Sequence, residues 1–287
     1  MRRAIELAGR LGAQGFRLLP TNQVSRVWGH VTRQPGSRHL IRPFARAFRI
    51  DLAEAELPLE AYDTLNAFFT RRLRPGARPF DPAPATLVSP VDGRIAAWGD
   101  CQQDRLLQIK GIEYSLFGLL RDGPMATRFE CGLYATLYLS PRDYHRVHAP
   151  LDLEVTGIGY MPGALLPVNG PSVRWVEQLY TLNERLVVYA NSPAGALAVV
   201  FVGAHCVGSI RLSFHDFVTN RGGRGPLRQS FERPVRLAKG EELGVFEMGS
   251  TVVLLFERGR VAPCLGPVGD AVRLGQSLGK VLPPPGP

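Results

Sequence analysis

The sequence predicts an α+β protein whose core is mainly an antiparallel β sandwich or barrel, covered by a helical and basic N-terminal layer. The chain shows helical periodicity up to Pro75, and beyond it short β-rich runs alternate with Gly, Pro, Asn and Asp. Such evenly spaced short strands are typical of sandwiches and barrels. With 287 residues, 45% of them hydrophobic, the chain can bury a large core.

The positive charge of the chain is concentrated at its N-terminus. The formal net charge is +9, and residues 1–50 hold ten Arg against the single acidic residue Glu6. A helix over residues 38–52 would gather its apolar side chains on one side, namely Ile41, Phe44, Ala45, Phe48 and Leu52, with four Arg beside them. This pattern fits a helix lying in a membrane interface, and it equally fits a helix packed on the body with its Arg in water. We expect residues 1–60 to form a membrane-associating segment.

A second helix and eight strands are predicted after this segment. Asp63 or Thr64 can cap a helix in which Leu65, Phe68, Phe69 and Leu73 share a face before Pro75 ends it. The predicted strands cover residues 94–98, 106–109, 135–139, 151–158, 185–189, 197–202, 207–214 and 251–256. We therefore expect residues 61–287 to form one β-rich domain.

Several classes of protein are disfavoured by the composition. The longest apolar run, residues 194–204, is too short to cross a bilayer, and the charged N-terminus does not resemble a secretory signal. The four Cys are scattered without a C-x-x-C motif, which predicts reduced thiols. No nucleic-acid-binding motif follows the basic segment. We expect the protein in the cytoplasm or on its membrane.

Metal and pyridoxal phosphate sites are not predicted either. The closest His and Cys residues, His145 with His148 and His205 with Cys206, lack a recognised ligand spacing. Only Lys110, Lys239 and Lys280 could bind pyridoxal phosphate covalently, and no phosphate-binding glycine loop accompanies them. Neither cofactor is therefore expected.

Asp92, His148 and Ser250 are the three residue types that make a serine hydroxyl nucleophilic. Taken singly, Asp92 before Gly93 and Ser250 after Gly249 fit ordinary turns. Ser250 also lacks the G-x-S-x-G elbow of common hydrolases. The combination predicts an activated serine. The order of the three residues along the chain carries no further information, because such triads occur in unrelated orders.

The surrounding motifs resemble the phosphatidylserine decarboxylase family. They are LNAFF at 65–69, PVDG at 90–93, KG at 110–111, YLSPRDYHRVH at 138–148, NER at 183–185 and GST at 249–251. The similarity covers nearly all of residues 60–256, and the YLSPRDYHRVH block is highly specific.

The resemblance implies a chain that cleaves itself between Gly249 and Ser250, into residues 1–249 and 250–287. Asp92, His148 and Ser250 would form the charge relay for this cut, and Ser250 would become a pyruvoyl group. That carbonyl would capture the amine of phosphatidylserine and accept the electrons released as carbon dioxide leaves. His145 would assist decarboxylation as an acid or as a group that positions the carboxylate.

Two other functions fit parts of the sequence, a Ser-His-Asp hydrolase acting on lipid and a non-catalytic lipid-surface module. Both would leave the chain uncut. For the leading hypothesis the partners are phosphatidylserine, an anionic lipid surface and the association of the two cleavage pieces. We expect a peripheral position on the cytoplasmic face of the cell membrane, and the sequence leaves open whether a homo-oligomer forms.

Overall fold

The computed structural model describes residues 21–109, 112–168, 170–205, 209–220, 225–247 and 250–283. Helices in these ranges are α1 Thr21–Thr32, α2 Ile41–Phe48, α3 Leu65–Phe69, α4 Leu116–Leu120, α5 Gly123–Arg128, α6 Gly170–Trp175 and α7 Leu179–Leu182, with 3-10 turns at Pro35–Leu40 and Leu59–Ala61. None of these helices is long and apolar enough to span a bilayer.

Sixteen strands are formed by the same parts of the chain. They are β1 Thr86–Val88, β2 Gly93–Asp100, β3 Arg105–Ile109, β4 Ile112–Ser115, β5 Leu133–Leu139, β6 Arg146–His148, β7 Leu153–Met161, β8 Arg185–Ser192, β9 Gly195–Gly203, β10 Ile210–Leu212, β11 Leu227–Leu237, β12 Glu242–Phe246, β13 Ser250–Phe256, β14 Val261–Pro263, β15 Ala271–Val272 and β16 Ser277–Val281. The predicted 207–214 strand is observed only over β10, and residues 207–208 lie outside the described ranges.

The largest sheet has eight antiparallel strands in the order β11-β7-β8-β9-β13-β5-β2-β15. It has two free edges in the described chain and does not close into a barrel. Two three-stranded sheets, β1-β16-β14 and β10-β12-β6, and the β3-β4 pair complete the β structure. The predicted α+β class with a β-rich core is confirmed.

Strand β13 shows how the layers pack, because successive side chains of a strand point to opposite faces of a sheet. Val252, Leu254 and Phe256 enter one core cluster, which also contains side chains of the two small sheets. Val253 and Leu255 enter a second cluster, formed with helices α4 to α7. By this alternation the Ser250 side chain faces the layer that carries β6 and β12.

The N-terminal layer has a small hydrophobic core, which joins helix α2 to helix α3. Ile41, Ala45 and Ile50 are buried there with Leu65 and Phe68. The predicted 38–52 helix is shorter than expected. Residues 35–40 form a 3-10 turn, and α2 ends at Phe48 because the next residue, Arg49, has a left-handed φ of 53°. Consequently Phe48 and Leu52 stay about 40% exposed and do not join the buried side of the helix.

Helix α3 begins where the sequence predicts and ends earlier. Thr64 is the N-cap, and its Oγ1 accepts a hydrogen bond from Ala67 N at 3.1 Å. Leu65, Phe68 and Phe69 are buried as expected. The helix ends at Phe69, so Leu73 lies beyond it.

Candidate functional site

Ser250 is the first residue of β13, at the centre of the large sheet. It lies opposite Gly203 of β9 and Leu139 of β5. The residue is 0% exposed, and within the described residues its Oγ has no hydrogen-bond partner. Leaving a buried hydroxyl unpaired costs free energy. Other buried hydroxyls of the described chain share this property, and Ser250 differs from them by directly following the predicted cleavage bond. Gly249, the other side of the predicted cleavage bond, lies outside the described residues.

His148 ends β6 and is held as a neutral imidazole with one defined tautomer. Its Nδ1 donates to the Gly240 carbonyl at 2.7 Å, so Nε2 carries the lone pair and accepts from the Tyr144 hydroxyl at 3.1 Å. Burial lowers the pKa of His148. Gly240 has a φ of +88°, which few residues other than glycine adopt, and its carbonyl accepts the hydrogen bond from Nδ1. The ring therefore presents a basic nitrogen at neutral pH.

Asp92 lies in the loop before β2 and binds an arginine. Arg78 donates to Oδ1 from Nε at 2.9 Å and to Oδ2 from Nη2 at 2.6 Å, and Leu274 N donates to Oδ1 at 2.8 Å. The following Gly93 is required here, because a Cβ at that position would stand 2.5 Å from the Tyr138 carbonyl oxygen. Asp92 is thus fixed by two loop segments, one that carries Arg78 and one that carries Leu274.

His145 is fully buried just before β6. Its Nδ1 donates to the Asp143 carbonyl at 2.9 Å, and its ring lies 4.1 Å from that of Phe69. Within the described chain its Nε2 has no hydrogen-bond partner. Burial lowers the pKa of His145 to about 3, and the charge of Arg71 acts in the same direction. The ring is therefore neutral, with a free lone pair on Nε2.

Asp92 and His148 lie in neighbouring segments, and no connected charge relay joins them to Ser250 among the described residues. The Asp92 loop reaches β6 through His148 N, which donates to the Pro90 carbonyl at 2.9 Å. Asp92 and Tyr144 both line a cavity of about 290 Å³. Among the described residues no hydrogen bond joins Asp92 to His148, or Ser250 to either histidine. The orientation of His148 by Asp92 stays a prediction.

Three contacts at this site were not foreseen from the sequence. Arg78 binds Asp92, Tyr144 donates to His148, and the Gly240 carbonyl orients the imidazole. Tyr144 lies in the same YLSPRDYHRVH block as His148, so the sequence indicated that the two residues are close. Arg78 and Gly240 gave none, because loops far apart in sequence bring them to the site.

The buried histidines predict a pH-dependent stability. An exposed His has a pKa near 6.5, so between pH 6.5 and about 3 the unfolded chain binds a proton that folded His145 does not. Stability should therefore fall as pH falls through this window, by about 1.4 kcal/mol per pH unit for each such group. His145→Gln should flatten urea unfolding profiles measured between pH 6.5 and 4.5, in a Ser250→Ala chain that cannot be cut.

Replacing the exposed His39 by Gln is the matched control and should leave that slope unchanged. His148, whose pKa is also lowered, should keep part of the slope in the His145→Gln protein. An unaltered slope in that protein would show that His145 titrates normally in the folded chain.

The residues around Ser250 are compatible with a prosthetic group made from that side chain. The Ser250 Oγ and the His145 Nε2 are both buried and have no hydrogen-bond partner among the described residues. A pyruvoyl group needs no separate binding pocket, since it stays attached to the strand that carries it. In the described ranges no three His, Cys, Asp or Glu residues cluster as a metal-binding group would require.

Known proteins match the chain over most of its length. Residues 65–280 match the family described as phosphatidylserine decarboxylase. A phosphatidylserine decarboxylase proenzyme of Anaeromyxobacter sp. (strain K) is 48% identical over 278 residues, which cover 94% of this chain and 98% of the relative. The proenzymes of Myxococcus xanthus and Brevibacillus brevis are 44% and 40% identical, over 93% and 91% of this chain and 96% and 94% of their own.

Proposed function

Because this chain belongs to the phosphatidylserine decarboxylase family, we propose that it removes the headgroup carboxylate of phosphatidylserine with a pyruvoyl group made from its own Ser250. The products are phosphatidylethanolamine and carbon dioxide, so the enzyme is a carboxy-lyase of phospholipid biosynthesis. The observation that carries the proposal is the buried, unpaired Ser250 Oγ at the start of a central strand.

Self-cleavage makes chemical use of the neutral His148. Nε2 takes the Ser250 proton as Oγ attacks the Gly249 carbonyl carbon, and it returns the proton to the departing amide nitrogen. The new C–O bond joins Gly249 to Ser250 as an ester, and the amide C–N bond between these two residues breaks. To act in this way, Nε2 must exchange its bond from the Tyr144 hydroxyl for one from Ser250.

Elimination then completes the cut. Loss of the Ser250 α-proton breaks its Cβ–O bond, which frees the carboxylate of Gly249 and leaves a dehydroalanine on residues 250–287. Water adds and ammonia leaves, so one water is consumed and one ammonia released for each chain. When formed, the pyruvoyl carbonyl supplies the electron sink for decarboxylation.

His145 moves a proton in the second reaction. Its Nδ1 proton is donated to the Asp143 carbonyl, so the free Nε2 lone pair accepts one proton from solvent in each turnover and delivers it to the substrate α-carbon after carbon dioxide has left. In this tautomer Nε2 has no hydrogen to donate to the substrate carboxylate. Proton transfer is therefore the role the geometry supports better.

The two pieces should stay together after the cut. Strand β13 of the 250–287 piece lies between β9 and β5, and all seven of its residues are buried. Strands β15 and β16 of the same piece pair with β2 and β1. Separating the pieces would expose this apolar strand, which costs about 1.5–3 kcal/mol for each large side chain.

The activity is tested by adding phosphatidylserine to the purified protein. We expect release of carbon dioxide and formation of phosphatidylethanolamine, and borohydride added during turnover should attach the lipid to the 250–287 piece. Release of free fatty acid by an uncut chain would instead support the hydrolase. Attachment of the lipid to a lysine of the long piece would refute the role of Ser250.

Contact with a bilayer follows from the lipid substrate, and we place it at the N-terminal layer. Val24, Val27 and Val31 share one face of α1 and are 40–65% exposed. A groove of about 560 Å³ beside α2 is lined by basic Arg42, Arg46 and Arg49, by apolar side chains and by Glu60, which pairs with Arg42. Adjacent apolar and basic groups suit the surface of an anionic membrane. The proposed location is peripheral, on the cytoplasmic face of the cell membrane.

Reversing two of these charges should weaken vesicle binding. Each Arg near an anionic surface contributes about 1 kcal/mol, so Arg42→Glu with Arg46→Glu should lower the affinity for phosphatidylserine-containing vesicles by about 30-fold or more. Flotation with these vesicles and with neutral ones measures the effect. The exposed Arg236 of β11 is the control for Glu substitution. Equal loss in the control, or none in the double variant, would exclude the N-terminal layer as the docking site.

A further inference from the structure

We propose that Arg33 is a positioning residue for self-cleavage, which it serves by holding Glu247 and thereby the backbone that leads into the Gly249–Ser250 bond. The inference rests on the proposed cleavage at Ser250. Arg33 follows helix α1, outside residues 65–280 that match the family. Glu247 precedes Gly249 by two residues.

Arg33, Ser209 and Glu247 form a closed set of contacts. The Nη2 of Arg33 donates to the Glu247 carboxylate, and also to Ser209 Oγ at 3.1 Å. Ser209 Oγ donates to the same carboxylate, and Glu247 N donates to the Ser209 carbonyl at 2.9 Å. The Glu247 side chain is only 11% exposed. Both its backbone and its side chain are therefore fixed.

The N-terminal layer holds Arg33 in place from both ends of α1. At the start, Asn22 Nδ2 donates to the Gly163 carbonyl at 2.7 Å. After the end, Ser37 Oγ donates to the Thr32 carbonyl and accepts from Leu65 N, both at 2.9 Å. The guanidinium is thus carried by a helix that is tied to two parts of the body.

The same helix reaches the strand beside Ser250. Leu165 N, at the loop contacted by α1, donates to Thr21 Oγ1 at 3.4 Å. The Leu165 side chain packs on Gly203, where a Cβ would stand 2.9 Å from Leu165 Cδ2. Gly203 is the register partner of Ser250. Helix α1 and Arg33 are therefore linked to both sides of the scissile bond, to Gly203 beside Ser250 and to Glu247 before Gly249.

Cleavage depends on how closely Ser250 Oγ approaches the carbonyl carbon of Gly249. A productive approach needs about 3–3.5 Å, and a misplacement of 1 Å can cost about 100-fold in rate. The sheet fixes Ser250 on one side of the bond, and the contacts of Glu247 fix the chain on the other. Without Arg33, the second anchor loses its only cationic partner among the described residues.

The test is the rate at which newly made full-length chain disappears in cell-free synthesis, followed by gel and intact mass. We expect Arg33→Ala to slow cleavage by about 10- to 100-fold, and Arg33→Lys to restore part of the rate. Glu247→Ala should slow it similarly, and the double variant should be no slower than either single one. Arg38→Ala, at an exposed arginine of the same layer, is the control and should cleave at the normal rate.

Thermal unfolding distinguishes a positioning role from a merely structural one. The midpoint is measured for Arg33→Ala in a Ser250→Ala chain, which cannot cleave itself. Because the Arg33 side chain is 43% exposed, water can replace its guanidinium at Glu247, and the midpoint should shift by no more than about 4 °C. Cleavage of Arg33→Ala at the normal rate, additive losses in the double variant, or a much larger thermal shift would overturn the positioning role. If the natural chain itself stays uncut, the proposed function fails, and the role of Arg33 fails with it.

Discussion

Replacing Ser250 by Ala should leave a single full-length chain with no decarboxylase activity. Alanine keeps the small side chain that fits between Gly203 and Leu139, so the strand should fold. It removes the only atom that can attack the Gly249 carbonyl and the oxygen that must leave by elimination. Gel electrophoresis and a carbon dioxide release assay, on proteins purified side by side, measure both losses.

Thr251→Val is the matched control for this change. Thr251 is the next residue, its hydroxyl is also buried and without a partner in the described chain, and its side chain faces the opposite side of the sheet. We expect this variant to be cut. Cleavage of Ser250→Ala, or activity in its uncut form, would contradict the role of Ser250 as the source of the prosthetic group.

Replacing His148 by Ala should slow cleavage by about 100- to 10,000-fold, the usual contribution of a general base. The variant removes the neutral Nε2 while leaving Ser250 in place. Imidazole added to the purified chain should restore part of the rate, because the deleted ring leaves room beside Tyr144 and Gly240. The fraction of cut chain over time is the measurement.

Exposed His39→Ala serves as the control and should be cut normally. Tyr144→Phe removes only the hydroxyl that occupies Nε2, and should slow cleavage far less than His148→Ala. If His148→Ala is cut at the normal rate, another group must take the Ser250 proton.

Local patterns predicted the elements that depend on neighbouring residues. The β-branched run after Ser250 predicted β13, and Thr64 predicted the start of α3, because strand propensity and capping are local properties. The motif block around His148 predicts that both histidines lie beside Ser250, and this stays a prediction. Open-sheet topology was harder to predict, since strand order depends on contacts between distant segments.

The contacts that define the site chemically are long-range. Nothing in the sequence near Asp92 shows that Arg78 donates to both of its oxygens, or that the Gly240 carbonyl accepts a hydrogen bond from Nδ1 of His148. The helix predicted over residues 38–52 was too long, because Arg49 adopts a left-handed conformation that no periodicity reveals. Periodicity indicates which residues share a face, and the backbone decides where the helix ends.

The most direct test of the central claim is the intact mass of the purified, active protein. We expect two species, one of residues 1–249 ending in a free carboxylate and one of residues 250–287. The shorter species should be lighter by one ammonia than a peptide beginning with an unmodified Ser250. A single species of full mass in active protein, or a short piece that retains its amino group, would contradict the account.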